Sequence, residues 1–158
     1  MKNLILLFTI IFLFGCKGSQ IKTIKIDASK EEVWSTISQL GNLSDWGGLD
    51  SSALTPPGIV TEGASFYVSQ GKNYAISEVV VVEDLKTIKT KLVEATWPVH
   101  YWNESMYISE DGDYTILKYQ IDFQGKGAAN LAFPILSAYN GSDMSKTLKN
   151  IKKEIESK

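Results

Sequence analysis

Residues 59–123 constrain the fold more than any other part of the chain. They break into five β-like segments, roughly 64–70, 73–83, 86–95, 99–109 and 114–123. The breaks are short turn signals: Gly71-Lys72, residues 83–86, Trp97-Pro98 and Asp111-Gly112-Asp113. Gaps this short join antiparallel neighbours, because a parallel crossover needs about a dozen residues or more. A meander of hairpins is therefore expected, with a further short strand at 58–62. In KTIKTKLVE (86–94), Ile88, Thr90 and Leu92 fall on one face and Thr87, Lys89 and Lys91 on the other. In YTILKYQIDF (114–123), Leu117, Tyr119, Ile121 and Phe123 oppose Lys118, Gln120 and Asp122. One face of the sheet is wet and the other must be covered.

The C-terminus supplies the cover. Met144, Leu148, Ile151 and Ile155 recur at helical spacing with lysines opposite. Stepping back along that stripe gives Gly141, Ser137 and Phe133 or Pro134. One long helix is expected, or one broken near Asn140-Gly141, since a glycine costs about 1 kcal/mol in a helix interior. Pro134 fits only a first turn. Ahead of the sheet, IKTIKI (21–26) reads as a strand and SKEEVWSTISQL as a short amphipathic helix. Ser29 and Glu32 have capping-box spacing, and Val33, Ile37 and Leu40 form the apolar stripe. Gly41 ends it, Asn42 starts a second short turn through Trp46, and GGLDSSALTPPG is loop by composition.

The order is thus strand, two short helices, antiparallel sheet, long helix. With IKTIKIDASKEEVWSTISQLGNLSDW, EGASF, ISEVVVVEDLKTIK and LKNIKKEIE, residues 21–157 resemble the START-like helix-grip superfamily, and within it the polyketide cyclase/dehydrase-type proteins. The resemblance implies an α+β fold: a curved antiparallel sheet wrapped on a long C-terminal helix, two short helices after strand 1, and an apolar cavity between sheet and helix. The family holds lipid carriers, small-molecule binders, cyclases, dehydratases and chaperone co-regulators, so fold alone does not decide function.

The N-terminus makes a separate statement. Residues 4–14 are apolar except Thr9, Lys2 precedes them, and the only cysteine, Cys16, follows. Eleven residues are too few for a spanning helix, which needs about 20, and the pattern is that of a secretory signal. Leu13, Phe14, Gly15 and Cys16 resemble the bacterial lipobox. That implies a signal peptide over 1–15, cleavage after Gly15, a diacylglyceryl thioether on Cys16, and a polar tether completing 16–20. The expected location is the cell envelope, lipid-anchored and facing the periplasm.

Composition narrows the partners. Every one of the 16 Lys-plus-Arg positions is Lys. Without arginine, the bidentate donor for phosphates and base edges, and with a net charge of −2, a nucleic-acid partner is not expected. The same absence weakens the case for a phosphorylated ligand. One His and one Cys cannot make a typical zinc site, and Gly125-Lys126-Gly127 lacks a nucleotide fingerprint. No metal or cofactor is expected.

Candidate site residues come from the core face. In ATWPVHYWNESMYI, one face carries His100, Trp102, Glu104, Met106 and Ile108 and the other Tyr101, Asn103, Ser105, Tyr107 and Ser109. The first is more apolar, which places His100 and Glu104 on the cavity side, roughly 13–14 Å apart along the strand. Trp97 is a candidate lid and Trp46 stands near the expected entrance. Tyr74, Tyr119 and Phe123 are candidate lining residues. Ser137 and Gly141 are too small to fill the space above the sheet. The expected function is binding of an apolar or amphipathic small molecule, lipids included, by a membrane-anchored domain. The alternatives are a cyclase- or dehydratase-like enzyme using Glu104 or His100, and a protein-interaction module with a filled cavity.

Overall fold

The structure, a computed structural model, describes residues 17–127 and 133–158, and for 133–140 the backbone alone. The strands are β1 (Gly18–Ile26), β2 (Ser51–Thr55), β3 (Ser65–Gln70), β4 (Asn73–Glu83), β5 (Thr87–Ala95), β6 (Val99–Asp111) and β7 (Tyr114–Gly125). The helices are α1 (Lys30–Ile37), a 3-10 turn at Leu40–Asn42, α2 (Leu43–Gly47) and α3 (Phe133–Glu156). All strand pairs are antiparallel, in the order β1-β7-β6-β5-β4-β3-β2. The meander from β2 to β7 joins sequence neighbours, and β1 closes on the last strand. Register shifts between Ile76 and Ser77 and between Val79 and Val81 bend β4 against β5; bulges of this kind curve a sheet around what it covers.

Three details differ from the expectations. The stretch read as loop contains β2: Leu54 is buried and pairs with Phe66. Its neighbours are serine, alanine and threonine, so one apolar residue carried the whole strand signal. Residues 58–62 are not a strand; Val60 is buried, and its N–H donates to the Ser38 carbonyl at 2.8 Å, which ties a loop to the end of α1. Gly18, Ser19 and Gln20, expected in a tether, pair with Phe123, Asp122 and Ile121 as the first part of β1.

α1 begins as its capping box dictates. The Glu32 N–H donates to Ser29 Oγ at 3.2 Å and the Ser29 N–H donates to Glu32 Oε2 at 2.8 Å. α3 runs unbroken through Gly141. β1 approaches the helix closely at this point: a Cβ at 141 would stand 2.8 Å from Gln20 Oε1, the end of a flexible side chain. Met144, Leu148, Ile151 and Ile155 of α3 are buried, as the helical stripe predicts. They belong to a core shared with Val33, Ile37, Leu40, Leu43 and Trp46 of the short helices and Ile26, Leu117, Ile121 and Phe123 of the sheet.

Candidate functional site on the core face of the sheet

Register decides which side chains meet. Across the sheet, Gln20 pairs with Ile121, Ile121 with Glu104 and Glu104 with Thr90. The neighbouring rows run Lys22, Tyr119, Met106, Ile88 and Gly18, Phe123, Trp102. Glu104 is therefore a carboxylate set into a wall of Ile121, Met106, Phe123 and Trp102. It is held there by two donors. Trp102 Nε1–H donates to Glu104 Oε1 at 2.6 Å, and the Tyr119 hydroxyl donates to Glu104 Oε2 at 2.6 Å. Trp102 and Phe123 pack with ring centroids 5.7 Å apart. Trp102 and Glu104 share a face because they stand two residues apart on one strand; Tyr119 joins them from β7, which no single-strand reading predicts.

Both carboxylate oxygens accept, so the group presents lone pairs to whatever approaches it. Tyr119 is fixed as the donor. Burial pushes its hydroxyl well above the ordinary value of 10.0, helped by the Glu104 charge, by the hydrogen bond to Glu104 and by Asp143. For a phenol with a raised folded-state pKa, the contribution to stability is complete below the unfolded value. Above it the unfolded chain releases a proton that the folded chain keeps, so stability falls as pH rises. Unfolding free energy from urea titrations is thus expected to decline above pH 10.0, and Tyr119→Phe to flatten that decline. An identical alkaline slope in the variant would reject this coupling.

The other predicted residues are distributed as follows. His100 is exposed and stands apart from Glu104. It occupies a bulge between Val99 and Tyr101, which pair with the adjacent residues Gly125 and Gln124. The extra residue breaks the alternation that placed His100 on the core face. Tyr74 is on the opposite face of the sheet, stacked on Tyr67 at 6.2 Å and hydrogen-bonded to Glu94. Its row was misjudged because the phase of β4 is set by Ala75 and Val79, both buried. Trp97 is partly buried in the turn between β5 and β6. Trp46 is in the core, and its carbonyl accepts from Asn150 Nδ2 at 2.9 Å. Gly141 faces Gln20 and Lys22. Ser137 lies within α3, with its side chain outside the described residues, and Cys16 is also outside them. Among the described residues, no group of three or more His, Cys, Asp or Glu is arranged to hold a metal.

Residues 21–156 match the family described as polyketide cyclase / dehydrase and lipid transport. The chain belongs to that family. Its fold is found again in an aromatase/cyclase, Zhui, from Streptomyces sp. R1128, at a TM-score of 0.73 and 16% identity over 89% of this chain and 94% of that one. A START superfamily protein from Mycobacterium smegmatis gives 0.71 and 17%, covering 88% and 97%. Norcoclaurine synthase from Thalictrum flavum, solved with dopamine and hydroxybenzaldehyde, gives 0.70 and 13%, covering 92% and 90%. At these identities the likeness is one of fold: the helix-grip arrangement of a START-type domain. A search of curated proteins finds no match. Family membership and fold give a polyketide cyclase / dehydrase and lipid transport domain of START-type architecture, and the site chemistry must narrow it further.

Proposed function

We propose that the domain binds an apolar or amphipathic small molecule against the core face of the sheet, with Glu104 as the polar anchor. The observation that carries this reading is the Glu104 carboxylate, held by Trp102 and Tyr119 in a largely apolar wall, with Thr90 as its neighbour on β5. Ligand sites of this kind combine apolar lining with a few fixed polar groups that set orientation. Glu104 suits a ligand that offers a hydroxyl or amine donor at one end and hydrocarbon at the other. Trp102, Phe123 and Tyr119, which stand beside Glu104 on the core face, would supply the apolar contacts. We further propose that the chain is anchored by acyl groups on Cys16 and faces the periplasm, a reading that the lipobox-like sequence ending there supports. One acyl chain holds a protein only marginally, whereas two or three on one cysteine hold it stably.

A second reading, acid–base catalysis, rests on the same residue, because Glu104 is a carboxylate fixed in position on the core face, where a general base could stand. Native mass spectrometry of the protein extracted from membranes, followed by solvent extraction, tests the binding reading. A co-purifying amphiphile that is lost in Glu104→Leu is the expected result. A chain that carries nothing, and takes up no apolar probe, overturns it.

A further inference from the structure

Where β1 meets α3 the surface opens into a groove of about 690 Å³. Lys22 of β1 and Lys146 and Lys149 of α3 line it, with Ser142 between, and no carboxylate is among its lining residues. None of the three lysines forms an ion pair among the described residues; the pairs present involve Lys25, Lys30, Lys152 and Lys158. Lys22 reaches towards the helix, its Cε 3.6 Å from where a Cβ at Gly141 would stand, an ordinary van der Waals distance. Ile21, more than half exposed, forms the apolar lip. Three lysines along one concavity bring positive charge to this part of the surface, with the Lys146 ammonium at the end towards Gly48, in a protein whose net charge is −2.

A second observation places this groove. β1 starts at Gly18, so only Lys17 separates Cys16 from the sheet. At about 3.3–3.6 Å per residue, Gln20 at the groove's near end lies within roughly 14 Å of Cys16. A chain anchored at Cys16 therefore has no tether long enough to carry the groove away from the lipid surface.

We propose that the groove of Lys22, Lys146 and Lys149 binds the anionic headgroup of a phospholipid in the membrane that holds the chain. This is a second ligand position, outside the core-face site, and it rests on the Cys16 anchor of the proposed function. Lysine acts here as a point charge, which phosphate recognition accepts without the arginine fork. The lack of arginine thus argues against bidentate readout and leaves a diffuse headgroup site intact. Near an anionic surface each lysine strengthens binding roughly fivefold, so removing three weakens it about a hundredfold.

The test uses the mature protein in phosphatidylcholine nanodiscs that contain a photoreactive phosphatidylglycerol. Crosslinks are expected at 20–22 and 141–150, and are expected to fall at least tenfold in the Lys22→Gln, Lys146→Gln, Lys149→Gln variant. An unchanged melting temperature for that variant would show that its fold is intact. Crosslinks confined to other segments, or undiminished in the variant, overturn the proposal. Loss of crosslinks on adding inorganic phosphate at the concentration of the lipid also overturns it, in favour of a free-phosphate site. Intact mass of the same sample reads the anchor separately. A chain without acyl mass rejects the anchor, while crosslinking of that chain to added discs still reports on the groove alone.

Discussion

Phe123→Ala is expected to lower the free energy of unfolding by about 3–5 kcal/mol, the range for deleting a buried aromatic ring. Phe123 is only 2% exposed and is among the largest fully buried side chains. It stands between Gly18 of β1 and Trp102 of β6, on the row next to Glu104. The glycine offers no side chain to fill the space, so a truncation at 123 leaves a cavity beside the Trp102 ring. Backbone in a paired strand cannot collapse into it, which favours the upper part of the range. Phe123→Leu, which retains most of the volume, should cost considerably less. Urea unfolding checks both: the midpoint should shift while the slope stays constant. A cost below about 1 kcal/mol for the alanine variant would show that close contacts do not fill this end of the sheet.

Glu104→Leu is expected to destabilise by about 2–4 kcal/mol, even though it places an apolar residue in an apolar wall. The reason is what it leaves behind. Trp102 Nε1–H and the Tyr119 hydroxyl both donate to this carboxylate, and Tyr119 is 7% exposed, so its hydroxyl has little access to water. Each orphaned buried donor costs about 1–3 kcal/mol. Glu104→Gln keeps an acceptor for one donor and turns an amide N–H towards the other, so it should fall between wild type and Glu104→Leu. The decisive variant is the pair Glu104→Leu with Tyr119→Phe. Removing donor and acceptor together should recover part of the loss, giving a coupling in a double-mutant cycle that exceeds the error. Additive costs would mean that the Tyr119 hydrogen bond contributes nothing net. For function, Glu104→Leu should also abolish retention of a ligand that donates to the carboxylate, while Glu104→Gln weakens it.

The architecture was legible because it rests on periodicity. Alternation in 86–94 and 114–123, the helical stripe ending at Ile155, and the capping box at Ser29 are local patterns, and each is set by the backbone geometry of a single element. The polar site was legible only in part. Trp102, Glu104, Tyr119 and Phe123 were placed on the covered face from alternation, and they do share it. Their mutual hydrogen bonds needed the β6–β7 register. Where alternation is interrupted, sequence reading failed: a bulge turned His100 out to solvent, and the phase of β4 put Tyr74 on the far face. β2 was missed because a strand with one buried residue has no pattern to read.

By itself the sequence determined the element types, the antiparallel pairing implied by short turns, and the face each helix buries. These depend on residues a few positions apart. The tertiary structure alone decided that Tyr119 reaches Glu104 across two strands, that Gln20 and Lys22 close over Gly141, and that lysines from β1 and α3 share one groove. Those contacts join residues from 15 to more than 120 positions apart. Their geometry follows from register, bulges and sheet curvature, and these emerge only when all seven strands pack together against one helix.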